Sequence, residues 1–308
     1  MSKQKWTANN IPDLTGKVII VTGGNSGLGY ESVKAFTGSG ANVIMTCRSL
    51  DKGTKAKDDI LNGNPSGSIE LEELNLSDLS SIRHFAAEFK TKHKRLDILL
   101  NNAGIMMTPY SLTKDGFESQ FGTNHIGHFA LTGLLMEVIK KTQDSRVVNV
   151  SSLAHKKGKI DFNNLLDDNG SSYAPMKAYQ RSKFANLLFT YELQRRFELK
   201  NMNTIAVAAH PGVSMTNLAK HLENTIMYKI FMLVSGIFTH SPNMGALPQI
   251  RASVDPEVTG GQYYGPDRMG EMKGDPVLVQ STKASHNEEN ARKLWEVSEK
   301  LTGVKFEF

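Results

Sequence analysis

Short runs of apolar, mostly β-branched residues recur along the chain and alternate with longer stretches in which apolar residues return every three or four positions. Continuous apolar runs are typical of strands buried on both faces of a parallel sheet, and the second pattern is typical of amphipathic helices. The runs predict strands at Val18–Thr22, Asn42–Cys47, Ile69–Leu74, Leu96–Asn101, Arg146–Val150, Thr204–Ala209 and Gln262–Tyr264. Helices are predicted at Tyr30–Gly38, at Asp78–Lys90 with Ser77 as its N-cap, at Glu118–Lys141 and at Ala178–Glu198.

This alternation predicts an α/β fold with a doubly wound parallel sheet, right-handed crossovers and helices on both faces, giving three αβα layers. Ligands of such sheets bind across the carboxyl ends of the strands, where the strand order reverses. Gly23, Asn102, Ser152 and Pro211 each follow the end of a predicted strand. We therefore expect all four residues at the ligand-binding edge.

Composition narrows the class of protein. The 308 residues suit one large α/β domain, and the single cysteine, Cys47, excludes an internal disulfide and fits a reducing compartment. The first ten residues lack an apolar signal core and no stretch has the length of a membrane span, so we expect a cytoplasmic protein. The net charge is +5, but the basic clusters at 90–95 and 155–159 are not interleaved with aromatic residues. These basic clusters are therefore more typical of a solvated surface than of a nucleic-acid-binding site.

A glycine-rich turn follows the first predicted strand, with glycines at positions 23, 27 and 29. Glycines in such a turn allow a tight bend, a close approach of the backbone to a pyrophosphate, and close packing of helix on strand. The following helix would direct its N-terminal N–H groups at the phosphates. A glycine-rich turn without a ligand is the alternative for these glycines alone.

A tyrosine and a lysine, Tyr179 and Lys183, stand four residues apart in a predicted helix and thus share one face. A lysine ammonium beside a phenol is expected to lower the pKa of the tyrosine, which suits proton exchange with a carbonyl or an alcohol. A second pair with this spacing is Tyr173 and Lys177. Pro175 suits the first turn of a helix, so we expect Tyr173 to precede the helix and this pair to lack the shared face.

Three motifs together resemble those of the short-chain dehydrogenase/reductase family: Thr22-Gly-x-x-x-Gly-x-Gly29, Asn101-Asn-Ala-Gly104 and Tyr179-x-x-x-Lys183. The resemblance extends from about Leu14 to Tyr264. Residues 151–155 and the long segment before Tyr179 resemble the branch of retinol dehydrogenases, the WW-domain oxidoreductase and light-dependent protochlorophyllide reductase. The resemblance to this family implies one Rossmann-type domain over residues 1–308, with a cofactor-binding and catalytic core at about 14–212 and a helical substrate lid at about 213–250.

The resemblance also implies a catalytic tetrad, formed by Asn124, Ser152, Tyr179 and Lys183. Ser152 would position the substrate oxygen, Tyr179 would exchange the proton, Lys183 would bind the nicotinamide ribose, and Asn124 would anchor a water linked to Lys183. Adjacent side chains at a strand end point to opposite faces, so only one of Ser151 and Ser152 can face the cofactor. The family pattern selects Ser152.

The second predicted strand ends at Thr46-Cys-Arg-Ser49, where an acidic residue would bind a ribose 2′-hydroxyl. Arg48 stands there instead and can pair with a 2′-phosphate, which favours NADP(H) over NAD(H). Asn75 replaces the family's aspartate near adenine, so we expect weaker contact there. The cofactor contacts implied by the resemblance are Gly23, Asn25, Ser26, Gly27, Leu28, Gly29, Arg48, Asn75, Leu76, Asn102, Ala103, Gly104, Tyr179, Lys183, Pro211, Gly212, Val213 and Thr216. We expect no metal site.

These features predict an NADP(H)-dependent oxidoreductase that transfers hydride between nicotinamide and a carbonyl or alcohol, with a lipophilic, retinoid-like or otherwise bulky aldehyde or ketone as the expected substrate. The predicted lid carries methionines at 215, 227, 232 and 244, which suit such a substrate or, equally, ordinary helix packing or an oligomer interface. Two alternatives are light-driven reduction of a chlorophyll precursor, disfavoured by the low cysteine content, and a non-catalytic NADP(H)-sensing or scaffold protein. The two longest predicted helices have broad apolar surfaces, which indicates a homodimer or coverage by the lid or by the loop before Tyr179.

Overall fold

The computed structural model of the chain describes residues 5–165, 167–213 and 241–308. Its strands are β1 Val18–Thr22, β2 Asn42–Cys47, β3 Ser68–Glu73, β4 Ile98–Asn101, β5 Arg146–Val150, β6 Ile205–Ala209, β7 Tyr263–Arg268 and β8 Lys273–Val279. Its α-helices are α1 Gly27–Gly38, α2 Leu50–Leu61, α3 Leu79–Lys92, α4 Ser119–Phe121, α5 Gly127–Lys141, α6 Pro175–Leu199, α7 Pro242–Val254 and α8 Glu288–Thr302.

The strands of this part of the chain form one sheet in the order β3-β2-β1-β4-β5-β6-β7-β8. All neighbours are parallel except β7 and β8, which pair antiparallel. The order runs backward along the chain from β1 to β3 and forward from β4, so it reverses between β1 and β4. The predicted doubly wound α/β sheet is confirmed, with an additional antiparallel edge strand that the sequence pattern did not indicate.

Alternate residues of the strands pack against helices on opposite faces of the sheet. Ile19 and Val21 of β1 contact one core, in which α1, α2 and α7 contribute apolar side chains. Val18 and Ile20 contact the other core, which is built from α3, α5, α6 and α8. Because both faces are covered, every residue of β1 is buried, which explains its uninterrupted apolar sequence. The three predicted layers are thus confirmed.

Two predicted helices begin and run differently from the sequence expectation. Helix α3 is capped by Asp78, not Ser77, because the Asp78 carboxylate accepts hydrogen bonds from the backbone N–H groups of Ser80 and Ser81. The stretch predicted as one helix from Glu118 to Lys141 contains a π-helical segment, Gly122–Ile126, between α4 and α5. A π-helical turn inside a helix often marks a functional site.

Helix α6 begins at Pro175, which occupies its first turn as expected. Tyr173 therefore precedes the helix, and the prediction that it does not pair with Lys177 on one helical face is confirmed. The Tyr173 hydroxyl instead donates to the carbonyl of Thr108 at 2.7 Å and accepts from the amide of Gln120 at 2.7 Å.

The broad apolar surfaces of α5 and α6 pack against the C-terminal end of the chain. Trp295 of α8 lies with its ring centroid 5.1 Å from that of Phe129 and 5.8 Å from that of Phe189. Phe306 then covers both rings and approaches Trp295 to 4.4 Å. The loop before Tyr179 covers another part of α6, where Ile160, Phe162 and Leu165 pack against the cluster that contains Phe184 and Leu188. Helix α8 and the residues after it are a further intramolecular cover that the sequence pattern had not suggested.

The predicted lid at about 213–250 lies mostly outside the described residues, and so do three of its four methionines. Its last part lies in α7, where Ala246 and Ile250 are fully or almost fully buried in the core beside α1. This part therefore belongs to a layer of the fold. Within the described residues, no helix is both long enough and apolar enough to span a bilayer.

Candidate active site

A cleft of about 310 Å³ lies at the carboxyl edge of the sheet, where the strand order reverses. The predicted cofactor residues that line it are Gly23, Asn25, Ser26, Gly27, Leu28, Gly29, Arg48, Leu76, Asn102, Ala103, Gly104, Tyr179, Lys183 and Pro211. Residues from three distant motifs thus meet in one cavity. Thr46, Ile105 and Met106 also line it.

The glycine turn is built for close approach of backbone to backbone. Gly23 and Gly27 have positive φ angles, +67° and +56°, which glycine adopts without strain. A Cβ on Gly29 would lie 2.2 Å from the carbonyl oxygen of Gly23 and 2.6 Å from the side-chain nitrogen of Asn102. Helix α1 begins at Gly27, so its free N–H groups face the cleft. These residues fit the pyrophosphate of a dinucleotide.

Adding one methyl group at Gly29 should therefore damage the cleft. We expect Gly29→Ala to lower the free energy of unfolding by about 1–3 kcal/mol and to abolish dinucleotide binding, because the methyl group overlaps the Gly23 carbonyl. Gly38→Ala, at the other end of the same helix, is the matched control, since its Cβ would meet no atom within 4 Å. Thermal unfolding and cofactor titration of both variants provide the measurement. Wild-type binding by Gly29→Ala would contradict the assignment of this turn.

The far end of the cleft contains the residues predicted to bind the adenosine half. Arg48 is exposed and lines the cleft at the end of β2. Asn75 is directed elsewhere: its side-chain oxygen accepts hydrogen bonds from the backbone and the hydroxyl of Ser77. Leu74 and Leu76 line the cleft at this point. Apolar side chains therefore form this wall, and Asn75 stays a predicted adenine contact.

Tyr179 and Lys183 both reach the opposite end of the cleft from α6. The Lys183 Nζ atom lies 5.9 Å from the Tyr179 ring centroid and donates to the carbonyl of Val150 at 3.0 Å. Burial lowers the pKa of Lys183 to about 8. Burial raises the pKa of Tyr179, and a hydrogen bond with Ser152 acts in the opposite direction. The expected lowering of the tyrosine pKa is wrong for this structure because desolvation of the phenolate dominates.

The two serines after β5 differ in their surroundings. The Ser151 hydroxyl donates to the backbone carbonyl of Lys183 at 2.8 Å and thereby ties β5 to α6. The Ser152 hydroxyl caps the short 3₁₀ segment Leu153–Lys157 and contacts Tyr179. Ser152 is therefore the serine beside the tyrosine hydroxyl, whereas Ser151 is the one that lines the cleft, so the choice of Ser152 as the catalytic serine stays a prediction.

Asn124 lies in the π-helical segment and is fully buried. Its side chain accepts a hydrogen bond from the N–H of Ile105 at 2.8 Å and donates to the carbonyl of the same residue at 2.9 Å. It also donates to Ser182, which in turn donates to the carbonyl of Tyr179. Asn124 thus connects the loop after β4 to the helix that carries Tyr179.

The turn after β6 approaches the cleft through Pro211. Gly212 has a φ angle of +70°, and the N–H of Val213 donates to the carbonyl of Met272 at 2.9 Å. That N–H is engaged within the protein, and Val213 stays a predicted cofactor contact. Thr216 lies outside the described residues.

Two buried polar residues outside the sequence motifs form hydrogen bonds with residues in or next to the cleft. Gln249 of α7 donates to Ser32 at 2.8 Å and to the side-chain oxygen of Asn102 at 3.0 Å. His128 donates from Nδ1 to the carbonyl of Asn124 at 3.0 Å, so its Nε2 accepts from the hydroxyl of Thr22 at 2.9 Å. Both contacts join elements distant in sequence, and a lone histidine or glutamine in a helix gives no local signal of them.

The fold and the cleft define a dinucleotide-binding α/β enzyme in which a buried tyrosine and lysine stand beside the glycine turn. Residues 17–165 match the protein-family model described as short chain dehydrogenase. Human retinol dehydrogenase 11 is 39% identical over 293 residues, which cover 94% of this chain and 87% of that protein. Mouse retinol dehydrogenase 12 is 38% identical over 296 residues, covering 96% and 89%. The chain therefore belongs to the short-chain dehydrogenase/reductase family, in its retinol-dehydrogenase-like branch, as the motifs had predicted.

Solved structures agree with this assignment. A crystal structure of an uncharacterized protein from Mycobacterium paratuberculosis is 39% identical, with a TM-score of 0.82 over 99% of this chain and 100% of that one. An NADP complex of RhlG from Pseudomonas aeruginosa is 20% identical, with a TM-score of 0.65 over 82% and 94% of the two chains, and supports the fold alone. The chain is an oxidoreductase of the nicotinamide-dependent class that transfers hydride to or from a small-molecule substrate.

Proposed function

We propose that this protein is an NADP(H)-dependent reductase or dehydrogenase of lipophilic carbonyls and alcohols. The observation that carries the proposal is the convergence of Tyr179 and Lys183 on the cleft formed by the glycine turn and Arg48. The curated relatives named retinol dehydrogenases support a lipophilic substrate. Met106, which lines the cleft beside the loop after β4, adds an adaptable apolar surface.

Each residue of the site has a separate role in the proposed carbonyl reduction. A nicotinamide dinucleotide would supply the hydride, and the glycine turn and the N-terminus of α1 would hold its pyrophosphate. Ser152 donates a hydrogen bond to the substrate oxygen, and Tyr179, which stays protonated because burial raises its pKa, donates the proton. The Lys183 ammonium stabilises the negative charge that then develops on the phenol oxygen. Asn124 holds the loop after β4 and α6 in register.

The lowered pKa of Lys183 predicts a pH profile. The amine is charged below about pH 8 and neutral above it, so carbonyl reduction should fall as the pH rises through about 8. Lys183→Arg retains the charge to far higher pH, because an arginine pKa exceeds about 12. The inflection near pH 8 should disappear in that variant, whatever its absolute rate. Initial rates between pH 6 and pH 10 test this, and an unchanged inflection in Lys183→Arg would assign it to another group.

The choice of cofactor is proposed to depend on Arg48. Arg48 is exposed at the end of β2 and lines the cleft, and a guanidinium is suited to pairing with a 2′-phosphate. Arg48→Asp should reverse the preference toward NAD(H), because a carboxylate repels the phosphate and accepts bonds from a 2′-hydroxyl. We expect a change of about two orders of magnitude in the affinity ratio, corresponding to the loss of about 2–3 kcal/mol of charge-assisted bonding.

The matched control for this charge reversal is Lys55→Asp, which changes the net charge equally on the exposed face of α2. Titration of both variants with NADPH and NADH gives the ratio of dissociation constants. If Lys55→Asp shifts the ratio as much as Arg48→Asp does, the cofactor preference depends on overall charge, and Arg48 does not recognise the 2′-phosphate.

A panel of aliphatic aldehydes, ketones and retinoids, assayed with NADPH and with NADH, tests the proposed activity. Oxidation of NADPH by an apolar aldehyde at a higher kcat/KM than by its short-chain analogue supports a lipophilic substrate. Tight binding of NADPH without turnover across the panel would favour the sensing or scaffold alternative, and turnover of a chlorophyll precursor under illumination would favour the light-driven one. Light scattering over a dilution series tests the predicted homodimer.

A further inference from the structure

The tight turn between β7 and β8 is strained at a position that no motif explains. Met269, Gly270 and Glu271 have φ angles of +53°, +66° and +68° in succession. A left-handed conformation is easy for glycine but costs about 1–3 kcal/mol for other residues, and it persists where the surroundings over-determine it. The side chain of Glu271 shows what holds the turn in this conformation.

The Glu271 carboxylate joins two segments that flank the cleft. One oxygen accepts from Nζ of Lys156 at 3.0 Å, in the short segment that Ser152 caps. The other accepts from Nε2 of His210 at 3.1 Å, and His210 directly precedes Pro211, which lines the cleft. The His210 side chain has no exposed surface, and that of Glu271 is 24% exposed.

The hydrogen bonds around His210 determine its protonation. The N–H of Gly212 donates to Nδ1 at 3.2 Å, so Nδ1 carries no proton and Nε2–H points at Glu271. Burial lowers the pKa of His210, which favours this neutral form. Burial would raise the pKa of Glu271, but the bonds from His210 and Lys156 outweigh it and lower that pKa. A neutral imidazole and an ionised carboxylate are therefore the stable pair.

The same turn also holds the backbone that follows His210. The carbonyl of Met272 accepts from the N–H of Val213 at 2.9 Å. A Cβ on Gly212 would lie 2.4 Å from that carbonyl, so only glycine allows the contact. A Cβ on Gly265 of β7 would lie 2.0 Å from Nε2 of His210. His210 therefore packs against β7 and bonds to the turn, and residues 211–213 follow it directly in the chain.

We propose that Glu271 is a positioning residue that acts through His210 to hold residues 211–213 in the geometry required for binding the nicotinamide half of the cofactor. This inference rests on the proposed function, that of a nicotinamide-dependent enzyme, and on the position of Pro211 in the wall of the cleft that Tyr179 and Lys183 enter. Glu271 does not touch the cofactor or the substrate. Its loss acts on affinity for NADPH, while the chemistry at Tyr179 and Ser152 is retained.

Comparison of Glu271→Gln with Glu271→Gly distinguishes the effect of losing the carboxylate from the effect of relieving the backbone strain. Both remove the charge, but glycine relieves the left-handed conformation that glutamine keeps. We expect both variants to raise the dissociation constant of NADPH about tenfold or more, as for a small misplacement of a binding segment. At saturating NADPH their kcat should stay within about twofold of wild type, so the effect is confined to KM for the cofactor.

The measurement is fluorescence titration of the purified full-length variants with NADPH, well below their melting temperatures, together with the split between kcat and KM. Lys156→Ala, which removes one ion pair and leaves His210 bonded, should bind NADPH almost as wild type does. His210→Gln should resemble Glu271→Gln, and the double variant should be no worse than either single one. A wild-type dissociation constant in both Glu271 variants would overturn the inference, as would additive losses in the double variant. Failure of the wild-type protein to bind NADPH would instead overturn the proposed function.

Discussion

Replacement of Tyr179 by phenylalanine should lower kcat for carbonyl reduction by about 10²–10⁴-fold, the usual contribution of a positioned general acid. The phenyl ring keeps the shape of a side chain that is buried beside Lys183, so the fold and the cleft should be retained. The variant should therefore bind NADPH with a dissociation constant close to that of wild type. Steady-state rates with the best substrate of the panel and a parallel cofactor titration provide both numbers.

The chain offers a matched control for this substitution in Tyr173, the tyrosine of the second Tyr-x-x-x-Lys pair. Its hydroxyl bonds to Thr108 and Gln120, and its ring stands edge-on to Tyr110 at 5.3 Å. Tyr173→Phe removes the same oxygen from a loop contact and should cost at most a few-fold in rate. Full activity of Tyr179→Phe, or equal loss in both variants, would show that the proton comes from another group.

The part of the site that could be predicted from sequence is the part specified by local spacing. The glycines at 23, 27 and 29 and the pair Tyr179 and Lys183 each act over one turn of chain, and the structure brings both groups to one cleft. The strands that enter it were recognisable because parallel strands buried on both faces must be apolar throughout. The first strand and the second were predicted with their observed bounds.

The features that the sequence did not indicate depend on contacts between distant residues. Glu271 reaches His210 and Lys156 from 61 and 115 positions away, and nothing in their own neighbourhoods suggests a pairing. The pKa of Tyr179 was expected to fall because its neighbour is a cation four residues away. Spacing contains no information about desolvation, and burial of the whole helix face reverses the direction.

Among residues outside the family's sequence motifs, Trp295 is expected to contribute most to the free energy of unfolding. Its ring is almost fully buried between α5, α6 and the C-terminal residues, with the guanidinium of Arg196 4.1 Å above it and Nε1 bonded to Glu299 at 3.0 Å. Trp295→Ala should lower the free energy of unfolding by about 3–5 kcal/mol, because it leaves a cavity in a cluster that cannot collapse around it. Denaturant unfolding followed by circular dichroism measures the loss.

Two further variants decide whether this loss reflects packing of the C-terminal helix. Trp295→Phe retains an aromatic ring against Phe129 and Phe306 and should lose distinctly less than the alanine variant. Leu199→Ala, at the exposed end of α6, should change the free energy by no more than about 0.5 kcal/mol. If Trp295→Ala were as stable as Leu199→Ala, α8 would not be a structural layer of this fold. The apolar faces of α5 and α6 would then need another cover, and a second copy of the chain is the partner whose presence light scattering would detect.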